Sequence, residues 1–278
     1  PREYGAVTNV HVWIENSDHE TVYDHWHNGT EMYYEGEWIT GERLLEGKGG
    51  ALYYLPEDFE KEIVWASKGN LKDQDDVLNA LRPGCGFAFL SGHGSPNSWG
   101  DHFPGVPGNR GGGSFTGLKV IGIKPYGNFI DFPIFPMNTI KNTDKLPIVI
   151  IGGCHNSQFN VSMIPGFLDM RNKKNTWCHG APVPECFSWY LVKMDRQGAI
   201  ASIGNTGLGY GTLGKTCNID GLDGGISSEF FKQYGDRYKI DGYDILGETY
   251  TRTLVQYCSE FDMFFQDHVK SLQQWQLL

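Results

Sequence analysis

Residues 147–159 read PIVIIGGCHNSQF, and residues 87–99 read FAFLSGHGSPNSW. In each, an apolar run of strand length, Pro147–Ile151 or Gly86–Leu90, stops on glycine and delivers one reactive side chain. Cys154 follows Gly152-Gly153, and His93 stands between Gly92 and Gly94. Short runs rich in Val, Ile, Ala and Phe read as strands buried on both faces, the pattern of a parallel sheet covered by helices. Ligands of such sheets bind just beyond the carboxyl ends of the strands. If these two strands are neighbours, His93 and Cys154 face one crevice. A thiolate is a nucleophile and an imidazole carries protons, which is the pairing acyl transfer needs. Gly94 lacks a Cβ, so its N–H can approach a carbonyl oxygen, and with the Cys154 N–H it makes a candidate oxyanion hole.

Working outward, Val7–Ile14, Ala51–Leu55 and Gly198–Ile203 also read as strands. Helix-like segments fall at Asn28–Glu46, Lys72–Leu81, Val183–Asp195, Gly225–Tyr234, Tyr243–Phe261 and Asp262–Leu277. The helix over 72–81 has acids in its first turn and stops at Pro83-Gly84. Strands alternating with helices predict an α/β fold: a three-layer sandwich with a mainly parallel central sheet and helices on both faces. Residues 104–117, PGVPGNRGGGSFTG, predict a mobile surface loop. Without a repeat or a composition shift to mark a boundary, residues 1–278 are expected to form one domain. The chain opens on Pro1-Arg2-Glu3 and closes on Trp275-Gln276-Leu277-Leu278, which reads as a piece of a longer precursor.

The 278 residues carry a net charge of −10, which argues against nucleic acid because phosphate binding needs a basic face. It is compatible with a cationic substrate. No run approaches the roughly 20 apolar residues of a membrane span. Six cysteines without a CxxC pair suit neither a zinc site nor a small disulfide scaffold; apart from Cys154 they read as structural. Asn28 and Asn160 head glycosylation sequons. His19, Asp24, His25 and His27 have ligand chemistry, but their spacing matches no structural zinc pattern, and no residue is assigned to a catalytic metal. Asp220 to Asp223 among glycines is a candidate structural calcium loop. Trp99 reads as packing beneath the loop.

His-Gly after one apolar block and Gly-Cys after the next resembles the caspase, legumain and gingipain superfamily of cysteine peptidases (clan CD). SGHG with Trp99, GGCHNSQF at 152–159 and GAIASIGNTGLGYG at 198–211 look most like the gingipain family. The resemblance implies a caspase-like fold and a cysteine endopeptidase working through an acyl-enzyme, with Cys154 as nucleophile and His93 as proton carrier. Gly94 and Cys154 would supply the oxyanion donors, and Gly153, Gly204, Asn205 and Thr206 would line the substrate pocket. A carboxylate behind the histidine would be Glu35, with Glu37 nearly as suitable. The family's usual preference for Arg or Lys before the scissile bond requires an acid, for which Glu42, Glu46, Asp131, Asp220 and Asp223 are all available. Implied too are a protein or peptide substrate, the chain's own propeptide or the rest of its precursor as partner, no cofactor for the chemistry, and a secreted or cell-surface zymogen. The alternative is an inactive gingipain-like module that binds peptides or serves as a scaffold in a secreted assembly. A thiol acyltransferase or ligase would use the same dyad.

Overall fold

The computed structural model describes residues 10–27, 31–34, 37–40, 49–66, 69–102, 114–126, 130–164, 168, 182–211, 219–241 and 245–278. Two hairpins come first: β1 (Val10–Glu15) with β2 (Thr21–His27), and β3 (Glu31–Tyr34) with β4 (Glu37–Thr40). The expected strand near Val7–Ile14 is therefore present, but it pairs with β2 rather than with the central sheet. The helix expected over 28–46 is not formed in its described part. Met32 is in register with Ile39 and Tyr33 with Trp38 across β3 and β4, and the aromatic and β-branched residues of this stretch have strand propensity. A short helix, α1 (Ala51–Tyr54), stands where a strand was expected. An apolar run that short does not distinguish the two states, and burial of Ala51 in a helix-lined core settles it.

Helix α2 (Gln74–Leu81) begins where Asp73 accepts hydrogen bonds from the N–H groups of Asp75 (2.9 Å) and Asp76 (3.4 Å). There follow β5 (Phe87–Ser91), β6 (His93–Ser95), β7 (Ser98–His102), β8 (Ser114–Lys119), β9 (Gly122–Tyr126), β10 (Ile130–Ile134) and β11 (Ile148–Gly152). The predicted loop over 104–117 gives way at Ser114 to β8, an edge partner of β7; residues 104–113 lie outside the described part. The chain closes with α3 (Phe187–Lys193), β12 (Ala201–Asn205), α4 (Leu222–Asp241), α5 (Leu246–Glu260), α6 (Gln266–Gln274) and β13 (Trp275–Leu277).

The central sheet has the order β13-β12-β11-β5. The β5–β11 and β11–β12 pairs are parallel, and β13 joins the edge antiparallel to β12. The expected last helix thus stops at Gln274, and its final residues become a strand, because Trp275 is buried against Phe230 and Tyr250. Alternation along the strands feeds two cores. Leu90, Val149 and Ile151 face α2 and α3 with Leu78, Phe187 and Leu191, while Ile150 and Ile203 face α4 and α5 with Phe230, Phe231 and Tyr257. Helices therefore cover both faces of the sheet, as the sequence predicts. Among the described residues, no helix is long and apolar enough to cross a membrane.

Candidate active site

Parallel register sets the site. Ile151 pairs with Leu90 and Gly152 with Ser91, so the residues that follow, Gly153-Cys154 and Gly92-His93, leave the sheet side by side. The approach is close enough to exclude side chains. A Cβ on Gly153 would stand 2.9 Å from both N and Cα of Gly94, and one on Gly94 would stand 2.6 Å from the Cys154 carbonyl oxygen. Real Cβ atoms do not come that close to backbone, so glycine is required at both places. Asn156, fully buried, ties the segments together. Its Nδ2 donates to the carbonyls of Ser95 (2.9 Å) and Ser98 (3.0 Å), while its own carbonyl accepts from Ser188 N–H at 3.0 Å.

The loop bearing Cys154 rests on the strand end beneath it. Cys154 is half-buried, and its Sγ accepts from the Gly209 N–H at 3.3 Å. His155 adopts a left-handed conformation (φ 57°), donates its N–H to the Gly207 carbonyl (2.7 Å) and pairs its Nδ1 with Gln158 Oε1 at 2.7 Å. Burial pushes the His155 imidazole below the ordinary histidine value. Ser157 N–H donates to the Asn205 carbonyl at 2.9 Å. Gly204 and Asn205 are buried and Thr206 half-buried, so this block underpins the Cys154 loop. Asn205 Nδ2 reaches Asp223 Oδ2 at 2.8 Å and the Gly153 carbonyl at 3.4 Å.

Asp223 is the residue whose role composition alone did not single out. Its residue is half-buried, yet its carboxylate is enclosed, with Oδ2 accepting from Asn205 and from the Tyr210 N–H at 2.8 Å. Burial raises its pKa to about 6 against the pull of those donors. A carboxylate turned inward onto N–H donors is spoken for, unlike one waiting in a specificity pocket. Asp220 is half-buried nearby; Glu42 and Glu46 lie outside the described residues, as does the Asp131 side chain.

His93 sits exposed on β6, opposite Gly100 of β7. That tight hairpin carries Asp101 and His102 to it. The His93 and His102 rings meet edge to face, 4.6 Å between centroids, and Asp101 Oδ1 accepts the His102 N–H at 2.8 Å. The three side chains line a cleft of about 170 Å³. Glu35 lies outside the described residues, and of Glu37 only the backbone, in β4, is described. The sequence reading missed Asp101; the signal that could have pointed to it is the Ser95-Pro96-Asn97-Ser98 turn, which folds β7 back on β6. Trp99, 3% exposed, packs over Gly117 and Gly92 as expected.

A thiol and an imidazole leaving adjoining strands of an α/β sandwich form the layout of a cysteine hydrolase. The chain belongs to peptidase family C25, the gingipain family of cysteine peptidases, whose family model matches residues 19–278. Comparison with curated proteins finds no match. Two solved structures are similar. One, described as the Arg-specific cysteine proteinase gingipain R (RGPB), is 14% identical with a TM-score of 0.44, and covers 74% of this chain and 34% of its own. The other is the complex of Porphyromonas gingivalis RgpB pro- and mature domains, 16% identical with a TM-score of 0.41, covering 74% and 35%. The chain spans about a third of the length of those two proteins. Cysteine-peptidase chemistry draws on no cofactor.

Proposed function

We propose that this chain carries the catalytic centre of a cysteine endopeptidase. The observation behind this reading is the backbone approach of Gly94 to Gly153 and Cys154, which puts one nucleophile and one imidazole at the same edge of the sheet. In this mechanism Cys154 Sγ attacks the peptide carbonyl, and the Gly94 and Cys154 N–H groups receive the oxyanion. His93 protonates the leaving amine and then activates the deacylating water. Asp101 is the described carboxylate beside His93, which makes it a rival to Glu35 for orienting the imidazole. Gly153, Gly204, Asn205 and Thr206 form a wall of the substrate pocket in this reading, next to the Cys154 loop that the Asn205 carbonyl supports through the Ser157 N–H.

A basic residue, Arg or Lys, precedes the scissile bond in this reading, in keeping with the net charge of −10 and with the Arg specificity stated for gingipain R. The chain works as one peptidase domain of a secreted or surface zymogen, with a propeptide as partner, as the pro- and mature-domain complex of the similar protein suggests. A structural calcium ion at Asp220–Asp223 would have to compete with the two N–H groups that Asp223 Oδ2 already accepts. The test is a fluorogenic peptide panel with Arg, Lys, Asp, Asn or Leu before the scissile amide, run on wild type and Cys154→Ala. Cleavage after Arg or Lys that vanishes in the variant is the expected result. Activity that survives in Cys154→Ala refutes the mechanism, and silence across the panel in a folded protein favours a peptide-binding module.

A further inference from the structure

His93, Asp101 and His102 each offer a ligand atom, and those atoms all lie within 4.8 Å of one another. This is the one such group of His, Cys, Asp or Glu among the described residues. In a tetrahedral zinc site with bonds of about 2 Å, neighbouring ligand atoms stand about 3.3 Å apart. Small side-chain rotations would therefore close the set. The hairpin brings the elements together: β6 and β7 are joined by two residues and His93 lies opposite Gly100, so Asp101 and His102 follow at the same end. His102 Nδ1 is buried without a hydrogen-bond partner, which is costly for a ring nitrogen unless something is to occupy it. The backbone fixes Asp101, whose Oδ1 takes the His102 N–H. The cleft in front, about 170 Å³, leaves room for a water as fourth ligand.

We infer that His93, Asp101 and His102 bind a divalent transition-metal ion, zinc by their chemistry, and that the bound ion silences the peptidase by taking up the His93 imidazole. Two imidazoles and one carboxylate suit zinc, whereas calcium and magnesium prefer sets of oxygen ligands. A metal-bound imidazole nitrogen has no lone pair for a proton, so His93 can neither receive the thiol proton nor hand one to the leaving amine. The inhibitory half of this inference rests on the proposed peptidase mechanism; the binding half does not.

The experiment separates the two. Zinc chloride is titrated into Cys154→Ala protein in competition with a chromophoric chelator, so that neither turnover nor the reactive thiol enters the readout. His102→Ala in the same background is expected to lose one equivalent of zinc, or to bind it at least about tenfold more weakly. His102→Gln serves if the alanine variant melts early. Equal stoichiometry and affinity with and without His102 overturns the site, because the zinc is then held elsewhere, such as by the His19–His27 hairpin. In otherwise native protein, with each variant's rate scaled to its own metal-free value, half-inhibition reversible by EDTA should need at least about tenfold more zinc in His102→Ala than in wild type. Inhibition unchanged by His102→Ala places the ion on the thiol and overturns the regulatory role. If metal-free wild type cleaves no peptide, the peptidase reading fails while the chelator titration still decides the site.

Discussion

Asp223→Asn offers the sharpest perturbation. The wild-type carboxyl titrates near 6 in the folded protein, against an ordinary value of 3.8, and burial is the main cause. As pH rises between these values, the unfolded chain releases its proton first, so the folded state holds the extra proton. Stability then falls with rising pH through that window, and the loss is complete above about pH 6. At about 1.4 kcal/mol per pH unit the loss comes to about 3 kcal/mol. Asparagine keeps an acceptor oxygen for the Asn205 and Tyr210 donors and cannot ionise. Urea unfolding of wild type and variant at pH 4 and pH 7 isolates the effect, because any static cost of the substitution appears at both. Because the unfolded carboxyl is already about half ionised at pH 4, the variant should gain about 2.4 kcal/mol relative to wild type on going from pH 4 to pH 7. Parallel curves would show that the carboxylate ionises freely in the fold and that its enclosure has been misjudged.

The other expectations concern the same loop. Asn156→Ala removes both donors to the Ser95 and Ser98 carbonyls, which should cost about 2–3 kcal/mol in denaturant unfolding; a loss below 0.5 kcal/mol would mean that water replaces the clamp. Gly94→Ala drives a methyl onto the Cys154 carbonyl and Asn156. With one oxyanion donor displaced, kcat should drop about 10²-fold or more, and an unchanged kcat would remove Gly94 from the oxyanion hole. His155 is held below the ordinary histidine value by burial, so its share of stability is present above about pH 6.5 and is lost as pH falls below it. The melting temperature of His155→Gln should therefore drop less than that of wild type between pH 8 and pH 5, and equal drops would refute the assignment.

Sequence by itself determined the sheet and the reactive pair. Apolar runs ending on glycine announce β5 and β11, since a strand buried on both faces has no polar residue to spare until it leaves the core. His93, Cys154 and the helices at 72–81, 183–195 and 243–261 were legible for the same reason: each carries its own periodicity or its own chemistry. Tertiary structure decided what local pattern leaves degenerate. Ala51–Tyr54 is a helix and Trp275–Leu277 a strand because of what they pack on, the former on the aromatic core with Phe231, the latter with Trp275 against Phe230. Likewise, only the fold brings Asp101 and His102 to His93, Asn156 to the hairpin carbonyls and Asp223 beneath Gly209. Hydrogen bonds that span dozens of residues leave no periodicity in the chain, and the burial that lifts Asp223 exists only once the sheet, α4 and the Cys154 loop close around it.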